Sequence, residues 1–207
     1  MKSKAIYILL TDTGTWFTRM IKWFTNAPFN HVSLVFDDQL QEIYSFGRKR
    51  PRNPLFAGFV RENVYTGTYY YFQETRCLLL KYHVTEEELQ KIRAVIQDFE
   101  NDQEKFSYNL IGLLGILFDY PIANKNAYFC SQFVAEVLRR SGIHLWDTPP
   151  ALVTPNDFFT HLDFEVIYSG RLYDYPLLDH TRIQQTDTEG NLLEKIRLNV
   201  LRNHLPL

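Results

Sequence analysis

The chain has 207 residues and a formal net charge of −2, from 22 lysines and arginines against 24 aspartates and glutamates. That balance excludes both a polyanion-binding composition and an acidic solvating tail. Hydrophobic residues at 45%, with only 9 glycines and 9 prolines, supply a full core and exclude a disordered or collagen-like chain.

No linker divides the chain, so the expectation is one domain over 1–178 followed by a C-terminal extension at 179–207. Two cysteines, Cys77 and Cys130, are too few for a disulfide framework, which points to a reducing compartment and a cytoplasmic protein. The opening apolar run Ala5 to Leu10 is too short for a secretory segment. The longest apolar stretch, Leu110 to Phe118, is interrupted by two glycines and falls well below the roughly 20 residues that cross a bilayer. A transmembrane segment is therefore not expected.

In chain order, Ala5 to Leu10 reads as a buried strand and Asp12-Thr-Gly-Thr15 as the turn after it. Trp16, Phe17, Met20, Ile21, Trp23 and Phe24 recur at helical spacing and predict an amphipathic helix stopped by Asn26-Ala-Pro28. His31 to Phe36 and Glu42 to Phe46 flank Asp37-Asp-Gln39 in the pattern of a β-hairpin. Gly47 to Gly58, with Pro51 and Pro54, reads as a surface loop, and Thr68–Phe72 and Arg76–Val84 as strands. Thr85-Glu-Glu-Glu88 forms a capping box that opens a helix with Leu89, Ile92, Val95, Ile96 and Phe99 as its buried stripe.

Beyond the apolar segment Tyr108–Phe118, apolar residues at 129, 133, 134, 137 and 138 predict a helix that ends at Gly142 and carries Cys130 in its first turn. Thr154-Pro155 starts a short helix, and Phe164–Tyr168 with Gly170–Tyr173 reads as a closing strand pair.

A thiol at a helix N-terminus gains nucleophilicity because unpaired amides and the helix dipole favour the thiolate. Cys130 has that position, although a small buried packing residue is the plainer role for a free cysteine. Cys77, inside Arg76-Cys-Leu-Leu-Leu80, reads as packing. A thiol nucleophile needs a base, and imidazole suits that task near neutral pH. Of the six histidines, His31 alone opens a strand, directly after Pro28-Phe-Asn30, where a rigid backbone would fix its ring. No metal-ligand spacing, phosphate loop or dinucleotide fingerprint occurs, so no metal and no cofactor is expected.

A histidine heading the strand His31-Val-Ser-Leu34, followed about a hundred residues later by an aromatic-Cys-Ser-x-Phe-Val helix at 129–134, resembles the circularly permuted branch of the NlpC-like, papain-fold cysteine hydrolases. That branch includes the YiiX/YaeF-like bacterial proteins and the lecithin:retinol acyltransferase family. Its members place His before Cys, as this chain does, whereas papain and ordinary NlpC-like enzymes place Cys first. The resemblance covers about residues 5 to 175. It implies an α+β, permuted papain-like fold, with an antiparallel sheet or small barrel packed against helices.

In chemical terms the resemblance implies Cys130 as nucleophile, its backbone amide serving the oxyanion, and His31 as general base. A polar group on the next strand would orient the imidazole. Ser45 is favoured there by its distance from His31, while Tyr44 and Glu42 on the same strand remain alternatives. A hydroxyl is a weaker orienter than a carboxylate. Tyr128 either adds a hydrogen bond to the oxyanion or simply packs.

The implied activity is hydrolysis through a thioester, first of a peptide or cell-wall-like amide, alternatively of a lipid acyl ester. A non-catalytic binding module on the same fold is the rival from another class. The basic run Arg48-Lys-Arg-Pro-Arg52 reads as solvated loop charge or as an attractor for an anion near the cleft, and no nucleic-acid partner is expected.

Overall fold

The computed structural model describes residues 4–14, 28–50, 53–102, 107–108 and 127–183. Its described elements are β1 (Lys4–Asp12), β2 (His31–Val35), β3 (Ile43–Arg50), β4 (Asn53–Glu62), α1 (Gly67–Tyr71), β5 (Arg76–Val84), α2 (Glu86–Asn101), β6 (Ser107–Tyr108), β7 (Ala127–Tyr128), α3 (Cys130–Arg140), α4 (Pro155–Thr160) and β8 (Glu165–Arg171). The fold is α+β. Six strands form one sheet in the order β4-β3-β2-β1-β5-β8, every neighbouring pair antiparallel. The short β6 and β7 pair in parallel beside it.

Both faces of this sheet are covered, which is why its strands read as apolar runs rather than as alternating half-buried ones. One face, carrying Ile6, Ile8, Leu10, Val32, Leu34 and Phe46, joins Ile92, Ile96 and Phe99 of α2 and Phe133, Val134 and Leu138 of α3 in one buried cluster. The other face, with Leu9, Val35, Ile43 and Leu79, packs with Tyr69 of α1 and with Leu172, Tyr175 and Leu178. Ile183 packs on this second cluster as well, so the folded unit runs a few residues into the expected extension.

Local chemistry explains most of the boundaries. Asp37 closes the β2–β3 turn by accepting from the backbone N–H groups of Gln39, Gln41 and Glu42. The Thr85–Glu88 capping box forms as expected. A second box, Thr154 with Asp157, starts α4 with Pro155 in its first turn. α3 ends on Gly142 at φ 90°, with Ile143 N–H donating to the Leu138 carbonyl and Gly142 N–H to that of Arg139, a Schellman closure.

Three expectations are corrected. The span Gly47–Gly58 is not a loop: β3 continues to Arg50 and β4 begins at Asn53. Pro54 is tolerated because β4 is an edge strand, where a missing N–H can face away from the ladder. Thr68–Tyr71 lie in the helix α1 and Phe72 caps it, rather than forming a strand, because burying Tyr69 in the second cluster overrides the β preference of the threonine and tyrosines. The expected closing strand pair is a single strand, β8, laid on β5, followed by a 3-10 turn at Leu172–Asp174. The expected helix at Trp16 to Phe24 and most of the apolar segment Tyr108–Phe118 lie outside the described residues.

Candidate active site

The start of β2 is pinned on both sides. Asn30 N–H donates to the Thr11 carbonyl at 3.2 Å, and its side-chain amide donates to Asp12 Oδ1 at 2.7 Å. His31 follows in register opposite Thr11. The start of α3 is pinned independently: the Ser131 hydroxyl donates to the Val153 carbonyl at 2.7 Å, while Phe133 and Val134 sink fully into the core. The aromatic-Cys-Ser-x-Phe-Val pattern thus combines the candidate thiol with one anchor and three packing groups, Phe129, Phe133 and Val134.

These two anchored segments meet. The Cys130 thiol points at the Asn30 carbonyl, with sulfur 3.9 Å from oxygen, and it lies close enough to the His31 imidazole to favour a charge on the ring. Cys130 is the first residue of α3, where backbone N–H groups have no intrahelical partner.

The other side of the imidazole is held by a carboxylate. His31 Nε2 lies 2.8 Å from Glu62 Oε1 at the end of β4, with the two side chains only 21% and 13% exposed. Because Nε2 is committed to Glu62, Nδ1 is the ring nitrogen left to face the thiol. Burial works against a charge on His31, but the Glu62 carboxylate and hydrogen bonds to Cys130 and Glu62 outweigh it and push its pKa up to about 10. Burial likewise opposes ionisation of Glu62, yet the facing imidazole and hydrogen bonds from Ser33 and Ser45 bring its pKa below the usual carboxylate value. The pair therefore favours imidazolium and carboxylate together.

The group held against the imidazole is Glu62 and not one of the three expected residues, Ser45, Tyr44 and Glu42. Ser45 is present but turns its hydroxyl to Glu62 Oε1 at 2.8 Å. Tyr44 lies on the opposite face, stacked on Phe59, and its hydroxyl donates to Glu42 Oε1 at 3.2 Å. Glu42 in turn pairs with Arg93 at 3.1 Å. Tyr128 packs against Phe46 and Phe99, and its hydroxyl accepts from Arg140 in the last turn of α3, at the far end from Cys130. Packing is thus the role its contacts describe.

Glu62 carries no local signal in the sequence, because the prolines of Gly47–Gly58 hide the start of the strand that it ends. The available signal was the register itself. Extending the 31–46 hairpin by one more antiparallel strand sets Glu62 across from Ile43, on the face that carries Ser45. Gly47 makes the meeting sterically feasible. A Cβ there would lie 3.1 Å from Ser45 Oγ, 3.2 Å from Glu62 Oε1 and 3.4 Å from His31 Cε1.

Among the described residues no group of three His, Cys, Asp or Glu side chains is placed to hold a metal ion, and no helix is long and apolar enough to cross a membrane. The placement of most charges in the basic run Arg48–Arg52 lies outside the described residues. No family model, curated protein or solved structure matches this chain.

Proposed function

We propose that the protein is a cysteine hydrolase of permuted papain-like fold that works through a thioester, with Cys130 as nucleophile, His31 as acid and base, and Glu62 as the group that orients the ring. The observation carrying this reading is a single line of contacts, from thiol to imidazole to buried carboxylate, built from three separate elements. A carboxylate against the ring supports this reading better than the hydroxyl orienter expected from the sequence. The substrate class proposed first is a peptide-like amide, after the NlpC-like resemblance.

In the acylation step Cys130 gives its proton to His31 Nδ1, forming thiolate and imidazolium. The sulfur attacks the carbonyl carbon while the displaced C=O electron pair moves to oxygen, stabilised by the Cys130 N–H at the helix start. As the intermediate collapses, the bond to the leaving nitrogen breaks and His31 gives that nitrogen its proton. The neutral imidazole then takes a proton from water, whose oxygen attacks the thioester. The C–S bond breaks, releasing the acid and returning the sulfur to the thiolate with the proton on His31. Throughout, Glu62 keeps Nε2 occupied, so protons move only at Nδ1.

Iodoacetamide alkylation across pH tests the dyad, and incubation with peptidoglycan stem peptides and with short-chain phospholipids tests the substrate class. The expected result is alkylation of Cys130 at pH 6 about tenfold or more faster than an ordinary thiol, lost in His31→Ala, with amide cleavage of the stem peptides. Ordinary alkylation independent of His31 overturns the reading, and product from phospholipid alone reassigns the substrate to lipid acyl esters.

A further inference from the structure

Glu62 is the meeting point of four hydrogen bonds. Oε1 accepts from His31 Nε2 and from the Ser45 hydroxyl, both at 2.8 Å. Oε2 accepts from the Ser33 hydroxyl at 2.6 Å and from the Tyr69 hydroxyl at 3.1 Å. A carboxylate offers about four lone-pair sites, and all are used here. A protonated carboxyl would have to donate one bond itself and would displace one of these donors, so the arrangement fits only the ionised form.

The donors come from three different elements: Ser33 from β2, Ser45 from β3 and Tyr69 from α1. Ser33 and Ser45 are completely buried and Tyr69 is 3% exposed, on a sheet face packed largely with leucine, valine, isoleucine and tyrosine. Alanine, valine or phenylalanine would fill the same space without burying hydroxyls, which destabilise a core unless they are paired. Packing alone does not account for three hydroxyls aimed at one carboxylate.

We propose that Ser33, Ser45 and Tyr69 are positioning residues that together fix Glu62 as an ionised carboxylate aimed at Nε2 and so keep His31 in the imidazolium state at rest. The catalytic consequence rests on the hydrolase reading above, but the charge state of the ring does not. Other titratable groups around the pair are Cys130 from α3 and, on β1, Asp12, whose carboxylate is occupied by Asn30 and Gly14. Arg61, next to Glu62 on β4, lies over the Tyr44 ring on the other face.

NMR titration of the His31 imidazole tests the proposal in the full chain, in wild type, in Tyr69→Phe and in the triple variant Ser33→Ala/Ser45→Ala/Tyr69→Phe, each also with Cys130→Ala. The expected result is a titration midpoint lowered by about one pH unit or more in the triple variant and by a smaller amount in Tyr69→Phe, whether or not the thiol is present. A folding defect alone lowers the melting temperature without moving that midpoint. An unchanged midpoint in the folded triple variant overturns the proposal. If the triple variant does not fold, Tyr69→Phe decides, since it removes one oxygen and keeps the ring. A lowered midpoint with ordinary Cys130 alkylation supports the cradle and sinks the hydrolase reading. An enhanced, His31-dependent alkylation with an unmoved midpoint sinks the cradle alone.

Discussion

The two cysteines are buried to nearly the same depth, Cys77 at 2% exposure and Cys130 at 5%, and they lie in opposite kinds of surroundings. Cys77 sits in β5 among the cluster of Leu79, Leu172 and Tyr175, and burial pushes its thiol up to about 12. Cys130 opens a helix, faces the Asn30 carbonyl and touches an imidazole that is itself ion-paired to Glu62. Burial in apolar surroundings makes a thiol inert, and on the proposed reading the polar partners of Cys130 are what distinguish it from Cys77.

Exchanging the two sites gives the largest contrast. Cys130→Ala is expected to cut turnover of a cleavable peptide by about 10⁴-fold or more, whereas Cys77→Ala leaves kcat unchanged. Cys77→Ser, which buries a hydroxyl in an apolar site, is expected to cost about 1–3 kcal/mol in urea denaturation and still leave kcat intact. Loss of turnover from the Cys77 variants would erase the distinction between the two sites.

Glu62→Gln comes next, keeping the shape of the carboxylate while removing its charge. A fall in kcat/KM of about 10³–10⁴-fold is expected, from loss of the correct tautomer and ring orientation. Stability against pH sharpens the point. The raised pKa of His31 contributes stability that is complete below its ordinary value of 6.5 and lost as pH rises through about 10. The lowered pKa of Glu62 contributes stability that is present above its ordinary value of 4.5 and lost as pH falls through its folded value. Denaturation midpoints of wild type and Glu62→Gln should therefore differ most between about pH 4.5 and 6.5 and converge on both sides. A difference independent of pH would contradict the ion pair.

The smallest effect belongs to Gly47→Ala. Its new methyl would crowd Ser45, Glu62 and His31 at 3.1 to 3.4 Å, close enough that neighbours must shift by a few tenths of an ångström. A loss of about tenfold in kcat/KM is expected, with about 1 kcal/mol of destabilisation. No change in either would place the dyad's geometry outside the control of that position.

What the sequence made legible, and what it hid, follows from the range of the interactions. The two residues proposed as nucleophile and base could be singled out because each position is announced locally: Cys130 by the helical pattern that begins beside it, His31 by the start of a strand. Arg76–Val84 and the Thr85–Glu88 box were equally local and stand as expected. Glu62 is fixed by cross-strand register between β3 and β4, and the prolines at 51 and 54 broke the alternation that would have carried that register through. Tyr69 was hidden for a related reason. Its run Gly-Thr-Tyr-Tyr-Tyr has strand composition, and only burial against a distant part of the chain turns it into a helix.

The anchor of α3 has a consequence for how the molecule comes into being. Ser131 ties the helix start to the carbonyl of Val153, a residue translated later than the thiol it helps to aim. During synthesis the histidine and its acidic partner emerge first, the sulfur follows, and the fastening arrives last. A chain ended short of Val153 would lack that fastening for the start of α3.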